Sequence, residues 1–312
     1  MSEIILFGEP MAMFTAEVEG LLDEVEIFNR SLAGAEVNVC TGLVRLGHKV
    51  SYITKVGEDP LGKYINNFLN KEGIGTEFIT FDSIYKTGTM LKSKVSKGDP
   101  VTAYYRKGSA FSHMTSEDID KVDLKGIKLV HVTGIPAALS KSCREASYRL
   151  MDRAKEEGIF ITFDPNLRPA LWENQEVMVQ VINDLATRCN LILPGTEEGL
   201  ILTGSKDPEK IADFYQGLGI KEVIVKEGSN GAYVRSGSDS FRQAGFKVEK
   251  VIDTVGAGDG FAVGIISGKL EGLDIKDSVI RGNAIGAIQV TFISDNEGLP
   301  TRKELADFIE RY

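Results

Sequence analysis

Asp253-Thr254-Val255-Gly256-Ala257-Gly258-Asp259-Gly260-Phe261-Ala262-Val263-Gly264 is a turn of small residues that ends in a carboxylate and opens an apolar helix. Gly256, Ala257 and Gly258 leave their backbone N–H groups bare at a helix N-terminus. There, unpaired donors and the helix dipole favour a phosphate or a developing negative charge. Asp259 is out of place in a mere anion site, because it would repel the ligand that the amides attract. It fits if its task is to accept a proton from a nucleophile attacking that phosphate. A bare Gly-x-Gly-Asp is equally a helix-start turn with no chemistry, so the rest of the chain has to decide.

The 312 residues permit one large or two smaller domains, with ample chain to bury a core. Apolar residues at 42% and charged residues at 26% are the mix of an ordinary globular protein. A net charge of −9 without a basic stripe argues against nucleic acid as a partner. An anionic small molecule would have to be met by a local cluster of cations. Cys40, Cys143 and Cys189 are odd in number and far apart, so neither a disulfide framework nor a zinc site is expected, and a reducing cytoplasm fits. The N-terminus, Met1-Ser2-Glu3-Ile4-Ile5-Leu6-Phe7-Gly8, lacks a basic leader region, and no apolar run reaches the ~18 residues of a membrane span. A cytoplasmic chain with no membrane partner is expected. Asn29-Arg30-Ser31 would be a glycosylation sequon only in a secreted chain and is read as incidental.

Short apolar runs with β-branched residues recur at 4–7, 129–132, 159–163, 191–193 and 223–225, with helical patterns between most of them. Ser142-Cys143-Arg144-Glu145 has capping-box spacing, Ala146, Leu150, Met151 and Ala154 form a stripe, and Gly158 supplies a stop. Phe261, Ala262, Ile265, Ile266 and Leu270 form a similar stripe before Gly272. Alternating strands and helices imply parallel βαβ units in an α/β fold, with ligands at the carboxyl ends of the strands. Asp164 lies at such an end, whereas His131 inside a strand reads as a core residue. Residues 13–32 and 86–112 break the alternation and look strand-like, with Gly98-Asp99-Pro100 as a turn. The first strand leads into Gly8-Glu9-Pro10 without Gly-x-Gly-x-x-Gly, which disfavours a dinucleotide-dependent oxidoreductase.

Gly57-Glu58-Asp59-Pro60-Leu61-Gly62-Lys63-Tyr64 almost spells a phosphate-binding loop. Tyr64 replaces the hydroxyl that would hold magnesium, and Glu58 and Asp59 put negative charge among the amides, so a structural strand-to-helix turn is the better reading. Lys226-Glu227-Gly228-Ser229-Asn230-Gly231 follows a strand and could bring amides, Lys226 or Ser229 to a phosphate; alone it is equally a hairpin turn. In Tyr104-Tyr105-Arg106-Lys107-Gly108-Ser109-Ala110 a planar guanidinium sits beside tyrosines, suited to gripping a carboxylate. Arg168, in Asp164-Pro165-Asn166-Leu167-Arg168, could converge on the same acid group. The alternatives are that Arg106 decorates an exposed strand and that Arg168 pairs with an acidic neighbour.

The twelve residues 253–264 resemble, position by position, the C-terminal signature of the carbohydrate kinases related to ribokinase. Ala33-Gly34-Ala35-Glu36-Val37-Asn38 resembles that family's N-terminal Gly-Gly-x-x-x-Asn element, with Ala33 in place of the first glycine. The resemblance covers essentially the whole chain. It implies a three-layer α/β/α sandwich with a mostly parallel central sheet, read as a single domain over 1–312 with a small β-sheet lid from about 13–32 and 86–112. By the same resemblance Asp259 is the catalytic base and the amides of Gly256, Ala257 and Gly258 stabilise the moving phosphoryl group. Gly34 and Asn38 would meet the sugar hydroxyls, while Tyr104, Arg106 and Arg168 address an acid or keto end and Asp295 approaches the nucleophilic side. Lys226, Gly228, Ser229, Gly231, Gly256, Gly258 and Asn283 would line the nucleotide.

The implied cofactors are ATP and Mg2+, with a monovalent cation left open, and a homo-oligomer is expected. At Pro194-Gly195-Thr196-Glu197-Glu198 the chain departs from the family's Asn-x-x-Glu: Gly195 stands for the asparagine, so magnesium would be served indirectly through Glu198, whose alternative is a solvated helix-start carboxylate. Tyr104–Ala110, Thr133-Gly134-Ile135-Pro136-Ala137-Ala138-Leu139-Ser140 and the Asp-Pro-Asn-Leu-Arg segment resemble the branch that phosphorylates the terminal hydroxyl of 2-keto-3-deoxygluconate. Phosphorylation of fructose is the alternative within the family. A catalytically silent sugar-binding protein is the alternative outside it, and the intact Asp259 argues against that.

Overall fold

The computed structural model describes residues 2–95, 100–292 and 296–312. Its strands are β1 (Ile4–Phe7), β2 (Met11–Glu19), β3 (Phe28–Ala33), β4 (Val50–Gly57), β5 (Ile79–Asp82), β6 (Thr89–Lys94), β7 (Thr102–Tyr105), β8 (Leu129–Thr133), β9 (Phe160–Asp164), β10 (Leu191–Ile192), β11 (Glu222–Lys226), β12 (Ala232–Ser236) and β13 (Asp239–Gln243). Its helices are α1 (Ala35–Arg45), α2 (Pro60–Glu72), α3 (Ser116–Asp120), α4 (Ile135–Leu139), α5 (Lys141–Glu156), α6 (Gln175–Ala186), α7 (Thr196–Thr203), α8 (Pro208–Gly217), α9 (Ala257–Glu271), α10 (Ile275–Gln289) and α11 (Arg302–Ile309). Among the described residues no helix is long and apolar enough to cross a membrane.

The larger sheet has nine strands in the order β13-β12-β11-β10-β9-β8-β1-β4-β5. Neighbours from β11 to β5 pair parallel, while β12 and β13 extend that edge antiparallel. The two-residue period of β1 explains why it can sit centrally. Ile5 and Phe7 face one apolar layer with Leu150 and Met151 of α5, and Ile4 and Leu6 face the other with Leu43 of α1 and Ile265 of α9. Helices therefore cover both faces, as the alternation of elements implied. Residues 259–268 of α9 are buried on every side, because α1 and α10 flank that helix. Gly264 permits the α10 approach: a Cβ there would collide with the Gly282 backbone.

The smaller sheet has the order β3-β2-β6-β7, with β2 and β6 parallel and the outer pairs antiparallel. Its strands fall within or beside the two segments that broke the alternation. The second segment leaves the sheet after Tyr105, however, because Ala110 and Phe111 are buried and Phe111 packs on Phe7 in the main core. Of the expected 98–100 turn, Gly98 and Asp99 lie outside the described residues.

Two local expectations are corrected. The cap of α5 is Ser140 rather than Ser142: Ser140 has extended backbone and its hydroxyl accepts from the Cys143 N–H at 3.0 Å. β9 begins at Phe160 and includes Asp164, so that carboxylate ends the strand instead of following it. The near-match to a phosphate loop is structural. Asp59 caps α2 through Leu61 and Gly62 and ties down Thr87, and although burial opposes ionisation, these hydrogen bonds hold its carboxyl below the usual range. His131 is a core residue bonded to Thr162 at 2.9 Å, and burial pushes its pKa down to about 3. All three cysteines are buried and unpaired.

Candidate active site

A cavity of about 760 Å³ opens where the smaller sheet meets the carboxyl ends of the larger sheet's strands. Met11, Ala33, Met90, Thr102 and Tyr104 line it from the smaller sheet; Asp164, Asn166, Arg168 and Asp259 line it from the larger layer. A second, mainly apolar cavity of about 490 Å³ lies beside it, walled by Phe246, Val248, Ala257, Phe261, Asn283 and Ala287 among others. The two share Lys226, Gly228, Thr254 and Gly258. The N-terminus of α9 thus stands at the junction of a polar cavity and an apolar slot.

Gly256 takes a left-handed conformation, φ 78°, and caps α9, which a side chain would strain. Among the described residues no backbone or side-chain acceptor meets the N–H groups of Gly258 and Asp259, so both remain available at the helix start. Asp259 is buried in the first turn. Its Oδ2 accepts from Asn38 Nδ2 at 2.8 Å and its Oδ1 from Asn166 Nδ2 at 3.3 Å. Burial raises its pKa to about 7 against the pull of the Asn38 hydrogen bond; Asp164 raises it further, while Arg168 opposes. The amide oxygen of Asn38, Oδ1, is buried and has no partner among the described residues, an acceptor left on the cavity wall.

Gly34 precedes α1 at φ 146°, where a Cβ would press to 3.0 Å from the Glu9 carbonyl oxygen, so glycine is required. Ala33 lies in β3 opposite Met11, a position that accepts a side chain. Tyr104 is 53% exposed and lines the cavity, with the Arg106 guanidinium 6.0 Å from its ring centroid. Arg106 is not the exposed strand residue that was weighed as its alternative: it is buried, and its Nε and Nη2 donate to Glu9 Oε2 at 2.7 and 2.6 Å. The Ser109 hydroxyl completes that carboxylate's shell through Oε1. Arg168 is exposed and forms no ion pair among the described residues; it bonds the Asn166 and Leu167 carbonyls and leaves its remaining donors toward the cavity mouth.

Lys226 is not free. Its ammonium donates to Asp164 Oδ2 at 2.6 Å, and although burial works against the charge, Asp164 and Glu198 outweigh it and hold the lysine above its usual value. Glu198 is not a solvated carboxylate. Its oxygens accept from the N–H groups of Leu167 at 2.9 Å and Gly195 at 2.7 Å, closing the start of α7 in place of a side-chain cap, and burial raises its pKa. On the slot side Gly228, Ser229 and Gly231 form the turn after β11, with Gly231 at φ 100°. Asn283 donates to the carbonyls of Gln243 and Ala244, fixing the chain after β13 against α10. Asp295 lies outside the described residues.

Sequence reasoning passed over Glu9, Glu36 and Asn166. Glu9 stands two residues past the end of β1, and a charged residue just beyond a central strand was the available signal. Glu36 looked like an ordinary first-turn glutamate. It is fully buried, accepts from the Thr133 hydroxyl, and burial lifts its pKa to about 7 against the opposing pull of that hydroxyl, Arg106 and Arg168. Asp259 and Glu36 both keep their protons to higher pH than the usual 3.8 and 4.5. Their contribution to stability is therefore full below those ordinary values and is lost as pH rises towards about 7.

The sequence pattern of the pfkB family carbohydrate kinases matches residues 1–302. The chain belongs to that family. This pfkB-family chain is 48% identical over 308 residues to the 2-dehydro-3-deoxygluconokinase of Bacillus subtilis strain 168, spanning 98% of this chain and 95% of that one. Among solved structures it is similar to a PfkB protein from Polaromonas sp. JS666, with a TM-score of 0.90 and 44% identity over 98% of this chain and 99% of the other. An E. coli protein provisionally called ribokinase II, in complex with ATP and Mg2+, matches with a TM-score of 0.90 and 26% identity, each chain covered completely. In this pfkB-family chain a polar cavity and an apolar slot meet at a helix start that carries a buried carboxyl group.

Proposed function

We propose that the protein is a 2-dehydro-3-deoxygluconokinase, transferring the γ-phosphoryl group of ATP to the terminal hydroxyl of 2-dehydro-3-deoxygluconate, which is 2-keto-3-deoxygluconate. One observation carries the reading: the cavity lined by Asp259 is also lined by Tyr104, Arg106 and Arg168, so a carboxyl group and two guanidinium groups share one cavity. A neutral ketose would give Arg168 and the spare donors of Arg106 no anion to hold. The 48% identity to a relative of that name, over nearly the whole chain, supports the same substrate.

In this reading Asp259 accepts the hydroxyl proton as the hydroxyl oxygen bonds to the γ-phosphorus and the bond to the leaving ADP oxygen breaks. Asn38 and Asn166 hold the carboxylate for that transfer. The N–H groups of Gly258 and Asp259, at the positive end of α9, meet charge on the phosphoryl oxygens. ATP would lie across the junction, its base in the apolar slot with Asn283 and its phosphates along Gly228, Ser229 and Gly256–Gly258. The unpartnered Asn38 Oδ1 suits a sugar hydroxyl.

Among the described residues no group of three or more His, Cys, Asp or Glu side chains is arranged to hold a metal. Such a site fits Mg2+ carried by phosphates and water rather than by a protein cage. Glu198 could accept from metal-bound water with the lone pairs its two amide bonds leave over. Bound there, the ion would neutralise phosphate charge. The proposal is tested by 31P and 13C NMR of the product formed from ATP, Mg2+ and 2-dehydro-3-deoxygluconate. One phosphate ester on the terminal carbon is expected, and an ester elsewhere or none would refute the reading.

A further inference from the structure

Glu9, Glu36, Asp164 and Asp259 are buried carboxyl groups on the wall of the polar cavity. Glu9 is met by Arg106 and Ser109, Asp164 by Lys226, and Asp259 by the amides of Asn38 and Asn166. Glu36 differs. Among the described residues its side-chain hydrogen-bond partner is a neutral hydroxyl, that of Thr133 at the end of β8. Its place is built for it: a Cβ on Gly8 would fall on the Glu36 carboxyl group, so the residue after β1 must be glycine.

Charged groups of both signs act around Glu36. Arg106 and Arg168 favour its ionised form. Glu36 in turn disfavours ionisation of Cys40 one turn on, of Tyr52 on β4 and of Asp259 across the cavity. The Arg106 guanidinium already serves the Glu9 carboxylate. An ionised carboxylate so buried and so weakly partnered is costly, whereas the neutral acid gains a donor.

We infer that Glu36 is a specificity-determining residue that, given the substrate proposed above, enters the complex protonated and donates that proton in a hydrogen bond to an acceptor oxygen at the keto-acid end. Both the substrate carboxylate and the keto oxygen lack protons to donate, so a cavity wall of ionised carboxylates would repel them. A neutral Glu36 converts one of those walls into a donor. The substrate's negative charge then drives the remaining ionised Glu36 to take up a proton from the buffer. Nothing else is consumed: one proton and one substrate anion bind together. A neutral ketose would bring no charge and no such uptake.

The test is calorimetric binding of 2-dehydro-3-deoxygluconate to the full chain, about one pH unit above neutrality, in buffers of different ionisation enthalpy. Wild type is expected to take up close to one proton per ligand, and its affinity to fall about tenfold per pH unit above that point. Because Asp259 titrates in the same range, the same titration is run on Asp259→Asn, in which the uptake should persist. In Glu36→Gln the uptake should vanish and the affinity become independent of pH. Binding without proton uptake in wild type, or uptake lost in Asp259→Asn, would overturn the role of Glu36 while leaving the substrate intact. These two arms decide the matter even if Glu36→Gln fails to fold. Binding of fructose with none of the keto acid would instead overturn the substrate and the role of Glu36 with it.

Discussion

Asp259→Asn is expected to lower kcat by about 10²–10⁴-fold, the usual value of a positioned general base, while the variant folds and binds both substrates. Asparagine keeps the shape of the side chain and can still meet Asn166 or Asn38, but it accepts no proton. The wild-type pH profile should carry the same signature. Protonated Asp259 cannot act as a base, so with its pKa raised to about 7 the rate should fall about tenfold per pH unit below that point and level off above it. Asp259→Asn should remove that limb from the profile. Steady-state turnover across pH for both proteins checks both expectations, and near-full turnover in the variant would end the assignment of Asp259 as the base.

Arg106→Ala is expected to do two separable things. Its partner Glu9 is buried, so removing the guanidinium strands a carboxylate away from water and should cost about 3–5 kcal/mol of stability, read in denaturant unfolding. It should also lower kcat/KM for the keto acid by about 10–100-fold, the worth of charge-assisted hydrogen bonds to the substrate. The double variant Glu9→Gln with Arg106→Ala distinguishes the two effects. Neutralising Glu9 should return most of the stability, because no buried charge is left alone, but not the use of the keto acid. If the double variant regained both, Arg106 would be a strut between the smaller sheet and the end of β1 and would not recognise substrate.

How far the residues announced this molecule depends on the range of the interaction. The parallel sheet was legible because its strands are short β-branched runs buried on both faces, separated by helices with stripes and stops. The small sheet was legible as a break in that rhythm. Its limit at Tyr105 was not, because contacts distant in sequence, the packing of Phe111 on Phe7 and the bonds of Arg106 and Ser109 to Glu9, draw the chain back into the main core. Ser142, with a glutamate three residues on, was expected to cap α5, and backbone conformation, invisible in the sequence, gave that place to Ser140.

In the candidate site, residues on a signature could be named from the sequence, and the side chains they bond to could not. Asn38 was expected to address sugar, yet its Nδ2 reaches Asp259, which is distant in sequence, and only its Oδ1 is left for a ligand. Lys226 and Arg106 were read as cations awaiting anions, and each already holds a buried carboxylate. Those carboxylates, Asp164 and Glu9, end β9 and follow β1, strands of one sheet with β8 between them, so topology and not local pattern brings them to the cations. An acidic chain therefore builds its anion-binding cavity from pre-neutralised pairs. Recognition of a sugar acid then depends on Arg168, on the spare donors of Arg106 and on carboxyl groups that hold protons.

Release of ADP by the wild-type protein with ATP and Mg2+, measured side by side on 2-dehydro-3-deoxygluconate and fructose, tests the central claim most directly. The expected result is a kcat/KM at least about 10²-fold higher on the keto acid, since a neutral sugar forgoes the charge-assisted hydrogen bonds that Arg168 and the spare donors of Arg106 can make to a carboxylate. Turnover of fructose with none of the keto acid would contradict it.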